Sequence, residues 1–360
     1  MTRLEKFREV LEESGLDGFL ITQPDNRRYL SGFTGSNGVL IITAEKQVLA
    51  TDSRYYTQVR EQCPDWELAE VGYSFPDHML ELLRGLELGA RKVGFEADHI
   101  TVSTLYSWER ALLGRLMLVN TEGVVASLRM QKDADEVAAI KKAVALADAA
   151  VQHITRWMKP GMTELQVAWE LERYLRTSGA DALAFESIVA SGPNSAKPHA
   201  RPTERQIQAG EPITLDLGCV IDGYCSDVTR TVSLGEPRDD KYLTVWHTVR
   251  EALETATRQA KGGMTGEAVD KLARDVIDQA GYKDYFGHGL GHGVGLSVHE
   301  GPRYSFTYPH EVPSGAVMTI EPGIYIPEWG GVRLEDMVVV GDEGVEVLTG
   351  VAKEAVVALA

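Results

Sequence analysis

The stretch PITLDLGCVIDGYCSDVTR, residues 212 to 230, contains two runs of apolar and β-branched residues separated by Asp222-Gly223. This two-residue loop predicts a β-hairpin, because a type I′ turn needs positive φ at both central positions and Gly adopts it without strain. The loop pairs Ile221 with Tyr224. The pairing of all other residues in the hairpin follows from this one.

Counting outward along the hairpin places Asp216 opposite Thr229 and Asp227 opposite Gly218. The alternation of side chains along a strand then puts both aspartates on one face as diagonal neighbours. Two like charges at this separation repel, so a cation is needed to keep both ionised at neutral pH. For one hairpin alone, two unrelated aspartates on a solvated face are the more common arrangement. The hairpin by itself therefore leaves a metal site and a charged surface as alternatives.

Length and composition indicate an ordinary globular protein. The chain has 360 residues, enough for two domains, and 44% of them are hydrophobic and 25% charged. Its 36 basic and 53 acidic residues give a net charge of −17. This charge repels phosphate groups, so nucleic acid and anionic membrane surfaces are not expected partners.

The three cysteines Cys63, Cys219 and Cys225 are too few and too scattered for a disulfide framework. The first residues form a charged amphipathic helical pattern with no secretory apolar region, and the sequence contains no run of eighteen apolar residues. These features predict a cytoplasmic protein with reduced thiols that does not act at a membrane.

The pattern of helices and strands predicts two domains. Short apolar strands, GFLIT, GVLIIT and QVLAT, alternate with helical patterns in the first third of the chain, which is typical of an α/β domain. A long helix is then predicted from Asp133 to Lys159. We place the boundary near Leu128, giving domains of residues 1–127 and 128–360.

The second domain contains an internal repeat at an offset of 102 residues, KPGMTELQVAWELERYLRTSGA (159–180) against KGGMTGEAVDKLARDVIDQAGY (261–282). Each copy predicts a helix capped by Thr and ended by Gly, and Thr163 with Gln166 predicts a capping box in the first copy. Helix caps favour few residue types, so coincidence is the alternative explanation of so short a repeat. Two copies of one unit predict a pseudo-twofold domain with its site at the junction.

A second pair of acids follows the second copy. In AVMTIEPGIYIPEWGGVRLEDMVVV, Glu321 is predicted at the end of one apolar strand and Glu335 inside another. Arg333 precedes Glu335 by two residues, so the two side chains share a face. We therefore expect Arg333 to pair with Glu335 and to tether it.

Four histidines lie in segments that a packed core does not explain. His288, His292 and His299 occur in GHGLGHGVGLSVHEGP (287–302), where six glycines oppose a regular helix and suit a backbone that approaches a site closely. His199 lies in the turn-rich loop ASGPNSAKPHA. A lone histidine is more often a packed or exposed residue than a ligand, but three within twelve residues favour a site.

Four carboxylates and one imidazole are mostly hard oxygen donors, which suit Mn²⁺ or a similar divalent ion better than a structural zinc site. Two divalent ions balance the four negative charges. Such a pair holds a bridging water as hydroxide at neutral pH, polarises a carbonyl group and stabilises the tetrahedral intermediate. The predicted reaction class is metal-assisted hydrolysis.

Five predicted ligands appear in the segments LDLGCVIDGYCSDVTRT, GHGLGHGVGLSVHE, TIEPGIYIP and GGVRLED, in the order Asp216, Asp227, His292, Glu321 and Glu335. In this order they closely resemble the pita-bread metallopeptidases, in particular the group of Xaa-Pro aminopeptidases (aminopeptidase P) and Xaa-Pro dipeptidases (prolidases). The phrases YLSGFTGSNG and ATDSRYY resemble the creatinase-like N-terminal domain of that group. The resemblance implies an α/β (α+β) protein with a creatinase-like α/β domain and a pseudo-twofold pita-bread metallopeptidase domain.

The resemblance also implies the roles of the site residues. Two divalent ions are expected, Mn²⁺ in the first place and Co²⁺ or Zn²⁺ as alternatives. The five ligands would hold them, with His292 binding one ion only and Glu321 also relaying protons. His199 and His299 match positions that stabilise the intermediate and contact the substrate, His288 matches a further pocket histidine, and Arg333 matches an arginine that steadies a ligand carboxylate.

The implied function is hydrolysis of the bond between an N-terminal residue and proline. Proline has no N–H and a fixed φ, so enzymes that bind substrates as an antiparallel strand handle this bond poorly. The N-terminal phrases favour the aminopeptidase, which accepts peptides that continue beyond proline. Arg303 is placed to bind a terminal carboxylate, which favours a dipeptidase as the alternative. A non-catalytic pita-bread binding protein is the second alternative, and the complete ligand set argues against it. The group often forms homodimers.

Overall fold

The computed structural model describes residues 1–88 and 91–359. The chain divides into two compact units, Met1–Arg129 and Met130–Ala360. The boundary expected near Leu128 lies beside this division. Among the residues described, no helix is both long enough and apolar enough to span a bilayer.

The first unit consists of a mixed sheet and its covering helices. The strands are ordered β4-β3-β2-β1-β5-β6, with β1 antiparallel to β2 and parallel to β5. The predicted strands GFLIT, GVLIIT and QVLAT are β1, β2 and β3. The helices are α1 (Arg3–Glu13), α2 (Pro24–Ser31), α3 (Tyr56–Gln62), α4 (Phe75–Gly85), α5 (Val102–Leu112) and α6 (Val124–Arg129), and the strands are β1 (Gly18–Ile21), β2 (Val39–Thr43), β3 (Gln47–Thr51), β4 (Glu67–Glu70), β5 (Lys92–Glu96) and β6 (Met117–Thr121).

Helix α1 shows why these elements form. Thr2 caps the helix in a capping box with Glu5, which satisfies two backbone N–H groups that have no partner within the helix. Phe7 and Leu11, one turn apart, are buried, and the ring of Phe7 meets Phe19 of β1 edge-on at 5.4 Å. The apolar stripe of the helix therefore fixes it on the sheet.

The second unit contains four segments of α-helix among the residues described and several sheets whose described strands pair antiparallel, except for one parallel pair that involves the last strand. The helices are α7 (Ala134–Trp157), α8 (Glu164–Thr177), α9 (Asp240–Gln259) and α10 (Gly266–Gln279). The strands are β7 (Ala182–Leu183), β8 (Ile188–Ser191), β9 (Ile213–Leu217), β10 (Cys219–Ile221), β11 (Tyr224–Cys225), β12 (Val228–Leu234), β13 (Gly291–Gly293), β14 (Glu300–Tyr304), β15 (Val317–Ile320), β16 (Gly323–Ile326), β17 (Gly330–Arg333), β18 (Asp336–Val340), β19 (Val345–Val347) and β20 (Val356–Val357).

Two of the sheets correspond to each other. Their strand orders are β20-β12-β9-β8 and β14-β13-β15-β18-β19, and each has a central antiparallel pair, β9 with β12 and β15 with β18. The helices α7 and α8 precede the first sheet along the chain, and α9 and α10 precede the second. The long helix predicted from Asp133 is α7, which Asp133 caps.

The sequence repeat is a structural repeat. Thr163 and Thr265 cap α8 and α10, and each side chain accepts a hydrogen bond from a backbone N–H in the first turn. Each capping residue also forms an isolated antiparallel bridge, Thr163 with Gln206 and Thr265 with Glu311. The two halves of the unit thus repeat the same local design, as the pseudo-twofold prediction requires.

Candidate active site

The hairpin of residues 212–230 has the predicted register. Asp222 and Gly223 both have positive φ, 52° and 83°. Ile221 pairs with Tyr224 in β10 and β11, and the same count continues into β9 and β12, where Asp216 pairs with Thr229. The turn therefore sets the position of Asp216 on its sheet, as the sequence indicated.

The four acids belong to the central antiparallel strand pairs of the two halves or lie directly beside them. Asp216 lies in β9 and Asp227 lies just before β12, whereas Glu321 lies just after β15 and Glu335 just before β18. The expectation that Glu335 lies inside a strand is wrong. Its backbone N–H instead donates a hydrogen bond to the carbonyl of Thr229, at 3.1 Å. At Glu335 the backbone therefore leaves the strand pairing of its own sheet and bonds to the other half of the unit.

Three of the predicted ligands converge. One oxygen each of Asp227 and Glu335 and a ring nitrogen of His292 lie within 4.8 Å of one another. The Nε2 atom of His292 is 3.6 Å from Asp227 Oδ2 and 3.3 Å from Glu321 Oε1. The Nδ1 atom lies 3.1 Å from the carbonyl of Gly293, which can only accept, so Nδ1 carries a proton. In this tautomer Nε2 faces the acids as a donor of electron pairs, as metal-binding histidines do.

Burial and mutual repulsion perturb these acids. Burial raises the pKa of Asp216. Burial and the charges of Glu335 and Asp216 hold the pKa of Asp227 well above its usual range, and burial with the charges of Glu321 and Asp216 does the same for Glu335. Burial also acts to raise the pKa of Glu321, whereas a doubly protonated His292 ring, with Nε2 3.3 Å away, would lower it through a hydrogen bond and its positive charge.

The residues fit a divalent cation. Two buried oxygens, Asp216 Oδ1 and Glu335 Oε1, have no hydrogen-bond partner among the described residues. Buried carboxylate oxygens without partners are costly unless a cation compensates them. Hard oxygen donors with one imidazole form the set that divalent ions such as Mn²⁺ accept. Asp216, Asp227, His292, Glu321 and Glu335 would hold the metal.

Arg333 does not pair with Glu335 as expected. Its Nη2 atom donates to Asp216 Oδ2 at 2.6 Å, and its Nε atom donates to Thr229 Oγ1 at 3.2 Å. The Thr229 hydroxyl in turn donates to Glu335 Oε2 at 2.7 Å. Because the chain leaves the strand after Arg333, the arginine reaches across to the acid of the other half. It holds Asp216 directly and Glu335 through Thr229.

Tyr325 is a site residue that the sequence analysis missed. Its hydroxyl lies 2.8 Å from Arg333 Nη1 and 3.0 Å from His288 Nε2. His288 Nδ1 faces the carbonyl of Gly289 at 2.7 Å, so Nδ1 is the protonated nitrogen and Nε2 accepts from the tyrosine. Burial lowers the pKa of His288 and raises that of Tyr325 to about 12, which keeps both groups neutral at pH 7. Nothing in the apolar strand pattern of GIYI distinguishes this tyrosine from a core residue.

The glycines around His292 are needed for close approach. A Cβ atom on Gly291 would lie 2.1 Å from the carbonyl oxygen of Thr319, and one on Gly293 would lie 2.3 Å from that of Gly301. Both distances are far below contact distance. The glycine-rich segment therefore lets the backbone beside His292 pack directly against its neighbours, which agrees with the reason inferred from the sequence.

One cavity of about 880 Å³ in the second unit contains every predicted site residue. Its lining includes the acids, the four histidines and both arginines: Asp216, Asp227, Glu321, Glu335, His199, His288, His292, His299, Arg303 and Arg333. The ring centroids of His292 and His299 are 4.4 Å apart. Partial burial and the neighbouring His292 lower the pKa of His299, which favours a neutral ring that can donate or accept one hydrogen bond.

Comparisons with known proteins identify both units. A model of metallopeptidase family M24 matches residues 138–342, and a model of the Creatinase/Prolidase N-terminal domain matches residues 3–131. An uncharacterised peptidase, YqhT, from Bacillus subtilis is 41% identical, with 99% of each chain covered. The solved Xaa-Pro dipeptidase from Bacillus anthracis superposes with a TM-score of 0.95 at 39% identity, covering 98% of each chain. An X-Pro aminopeptidase from Thermotoga maritima superposes with a TM-score of 0.90 at 36% identity, covering 98% of this chain and 100% of that one.

Proposed function

Because the chain belongs to metallopeptidase family M24, within its Xaa-Pro aminopeptidase and prolidase group, we propose that it hydrolyses the peptide bond between an N-terminal residue and proline at a dinuclear metal site. The observation that carries the proposal is the convergence of five metal-binding side chains and three further histidines on one cavity. The expected metal is Mn²⁺, with Co²⁺ and Zn²⁺ as alternatives.

When bound, two divalent ions supply Lewis acidity and make hydroxide available at neutral pH. The protein's own groups orient the substrate and move protons. Glu321 lines the cavity, and its carboxylate can accept a proton from the attacking water and pass it to the proline nitrogen. His199 and His299 face the cavity, where hydrogen bonds to the substrate carbonyl stabilise the charge that develops on it.

A series of hydrogen bonds from Asp216 through Arg333 and Tyr325 to His288 holds the site residues in place. Arg333 fixes one oxygen of Asp216 and thereby aims the other into the site. Tyr325 links Arg333 to His288, whose tautomer is set by the carbonyl of Gly289. Groups that are locked by second hydrogen bonds keep the productive geometry without reorganisation during the reaction.

We favour an aminopeptidase that accepts peptides continuing beyond proline. The cavity of about 880 Å³ lies near the upper end of the range that encloses drug-sized ligands, and a dipeptide is smaller than these. The length of substrate accepted by this chain stays a prediction, as do its cytoplasmic location and its homodimeric state.

A dipeptidase is the second candidate, and Arg303 favours it. Arg303 lies opposite His292 in the pairing of β13 and β14, so the two side chains share a face. It lines the cavity, is exposed, and has no carboxylate within 4 Å in the described parts of the chain. A free guanidinium group at this position suits the terminal carboxylate of Xaa-Pro.

Hydrolysis of Ala-Pro and Ala-Pro-Ala-Ala, with the wild type and Arg303→Ala, tests the proposal. The chelated protein should be inactive and should recover with Mn²⁺. For an aminopeptidase, kcat/KM for the tetrapeptide should be at least equal to that for the dipeptide and should be insensitive to Arg303→Ala. A dipeptidase would reject the tetrapeptide and lose about 10- to 100-fold on Ala-Pro in Arg303→Ala, the value of a charge-assisted hydrogen bond. Activity that survives complete chelation would refute the metal-dependent mechanism.

A further inference from the structure

Glu164, the first residue of α8, is fully buried, and it is not one of the residues that line the cavity. Its Oε1 atom accepts hydrogen bonds from the backbone N–H and the hydroxyl of Ser191, at 2.7 and 2.8 Å. Its Oε2 atom accepts from Asn194 Nδ2 at 2.9 Å and from the N–H and hydroxyl of Thr203, at 3.0 and 2.7 Å. Within the described chain it forms no ion pair shorter than 4 Å. Both oxygens of this buried carboxylate are thus bound by hydrogen-bond donors, and such bonds to a carboxylate are strong.

These hydrogen-bond donors all belong to one loop, the segment 191–203. Ser191 and Thr203 stand at the two ends of the segment 191–203, and Asn194 lies in the short 3-10 helix Gly192–Ala196 within it. A single side chain from α8 thus ties both ends of the segment and its first turn together. Loops of this length are mobile unless their backbone groups are bound, so the carboxylate is one of the groups that hold the segment in place.

The same segment reaches the active site. His199 lines the cavity. The carbonyl of Pro198 accepts a hydrogen bond from Arg333 Nη1 at 3.1 Å, and the hydroxyl of Ser195 accepts one from the N–H of Gly331 at 2.9 Å. A displacement of the segment would therefore move His199 and would also remove one partner of the arginine that holds Asp216.

We propose that Glu164 is a positioning residue for hydrolysis, which acts by holding the 191–203 segment so that His199 faces the substrate. The inference rests on the proposed function. Both oxygens are needed as acceptors, and the amide nitrogen of glutamine can only donate. In Glu164→Gln one end of the side chain would face donors that it cannot satisfy, either at Ser191 or at Asn194 and Thr203.

The second half also holds a histidine segment through a buried acid, but at a different position of its helix, since at the offset of 102 residues Glu164 aligns with Gly266 and Asp270 with Ala168. Asp270 of α10 is buried, accepts a hydrogen bond from the N–H of Leu290 at 3.0 Å, and pairs with Arg274 at 2.7 Å. Arg274 donates to the carbonyls of Phe286 and His288, at 2.9 and 2.8 Å. In each half, a buried acid of the repeated helix thus binds the backbone of the segment that carries a cavity histidine.

Glu164→Gln and the matched control Glu170→Gln test the proposal. Glu170 lies on the same helix and is also buried, but it binds Arg173 and His153 and does not line the cavity. Hydrogen exchange of the full-length protein, read on peptides covering residues 188–203, should be faster in Glu164→Gln and unchanged in Glu170→Gln. Equal exchange in the two variants would overturn the proposal.

Kinetics separate positioning from general loss of stability. We expect Glu164→Gln to lower kcat/KM on an Xaa-Pro peptide about 10- to 100-fold, the usual cost of misplacing a group in a site. In a His199→Ala background the same change should cost less than about threefold, because the histidine to be positioned is gone. The proposal is wrong if the loss is the same in both backgrounds, or if Glu170→Gln is equally impaired.

Thr203→Val provides a milder variant if Glu164→Gln folds poorly. It removes only the hydroxyl bound to Oε2 and should show the same pattern at smaller size. The proposed function fails separately, since a wild type that cleaves no Xaa-Pro bond would refute it. Hydrogen exchange of residues 188–203 would still show whether Glu164 holds the segment.

Discussion

Asp227→Asn should stabilise the metal-free protein while abolishing metal binding. In the absence of a cation, Asp227 is buried beside Glu335 and Asp216, and no group donates to its carboxylate among the hydrogen bonds of the described residues. Asparagine has nearly the same shape but no charge. The substitution therefore removes repulsion from the metal-free site and at the same time removes a predicted ligand.

The size of the effect follows from the separation of the two acids. Ligand oxygens of Asp227 and Glu335 lie within 4.8 Å of each other. Two unit charges at that distance repel by about 3 kcal/mol at the effective dielectric constant of about 20 that suits protein sites. In the wild type, proton uptake by the acids relieves part of this repulsion. The stability gained by Asp227→Asn should therefore not exceed about 3 kcal/mol. For a unit of this size it corresponds to a rise in Tm of up to about 10 °C.

The gain in stability of Asp227→Asn over the wild type should depend on pH. Burial and like charges raise the folded-state pKa of Asp227 and Glu335 above the value near 4 of an unfolded chain. Groups with raised folded pKa values contribute stability fully below the unfolded pKa, and this contribution is lost as pH rises toward the folded pKa. Asparagine does not titrate. The Tm of Asp227→Asn minus that of the wild type should thus be near zero at pH about 4 to 5 and should grow toward pH 8.

Thermal unfolding of chelated protein between about pH 5 and 8.5 measures this difference, and repetition with excess Mn²⁺ measures metal binding. Mn²⁺ should raise the Tm of the wild type and leave Asp227→Asn almost unchanged. Asp270→Asn is the matched control, because it breaks a buried pair with Arg274 and should lower the Tm at every pH. A Tm of Asp227→Asn at or below that of the wild type at pH 8, without metal, would refute the reasoning.

Three further changes test other parts of the site. Glu321→Ala should lower kcat by at least about 100-fold in a folded protein, as expected for loss of a proton-relay group, and an unchanged turnover number would contradict the assignment. Gly291→Ala places a Cβ 2.1 Å from the carbonyl oxygen of Thr319. It should cost about 1–3 kcal/mol of stability by overpacking and should weaken metal binding. Gly287→Ala is the control, because no atom lies within 4 Å of its added Cβ. This control should show neither effect in thermal unfolding and metal titration. One residue inserted after Gly223 should abolish metal binding while most of the thermal stability remains, because it shifts the hairpin register, and retained Mn²⁺ affinity would rule out a role for the turn.

The architecture was predictable where the signal is local. The turn at Asp222-Gly223 fixes a register, and side-chain alternation then places Asp216 opposite Thr229, as the structure has it. Helix caps at Thr163 and Thr265 mark the repeat, because a cap depends on residues a few positions away. The match of both units to the metallopeptidase and creatinase-type families confirms the fold class that the resemblance implied.

Partners across the two halves were not predictable. Alternation shows that Arg333 and Glu335 share a face, but it does not show that the strand ends between them, and the arginine in fact binds Asp216. Tyr325 sits in an apolar strand whose pattern suits any core residue. Glu164 occupies the first helical position, where an acid is favoured by the helix dipole whether or not it binds a loop. In each case the contact depends on tertiary packing, which the periodicity of one segment does not contain.

The equivalence of the two halves explains how four acids come to be buried in one place. Asp216 lies in β9 and Glu321 just after β15, and Asp227 and Glu335 both lie just before the strand that pairs with these. Each half contributes only two acids, so neither sheet carries the full repulsion, and four charges meet only where the halves join. The raised pKa values of Asp216, Asp227 and Glu335 indicate that their charges oppose stability at this junction without a cation. Such an arrangement is understandable only if a bound cation offsets the repulsion, which makes metal affinity and the folding of the second unit a linked property of the same residues.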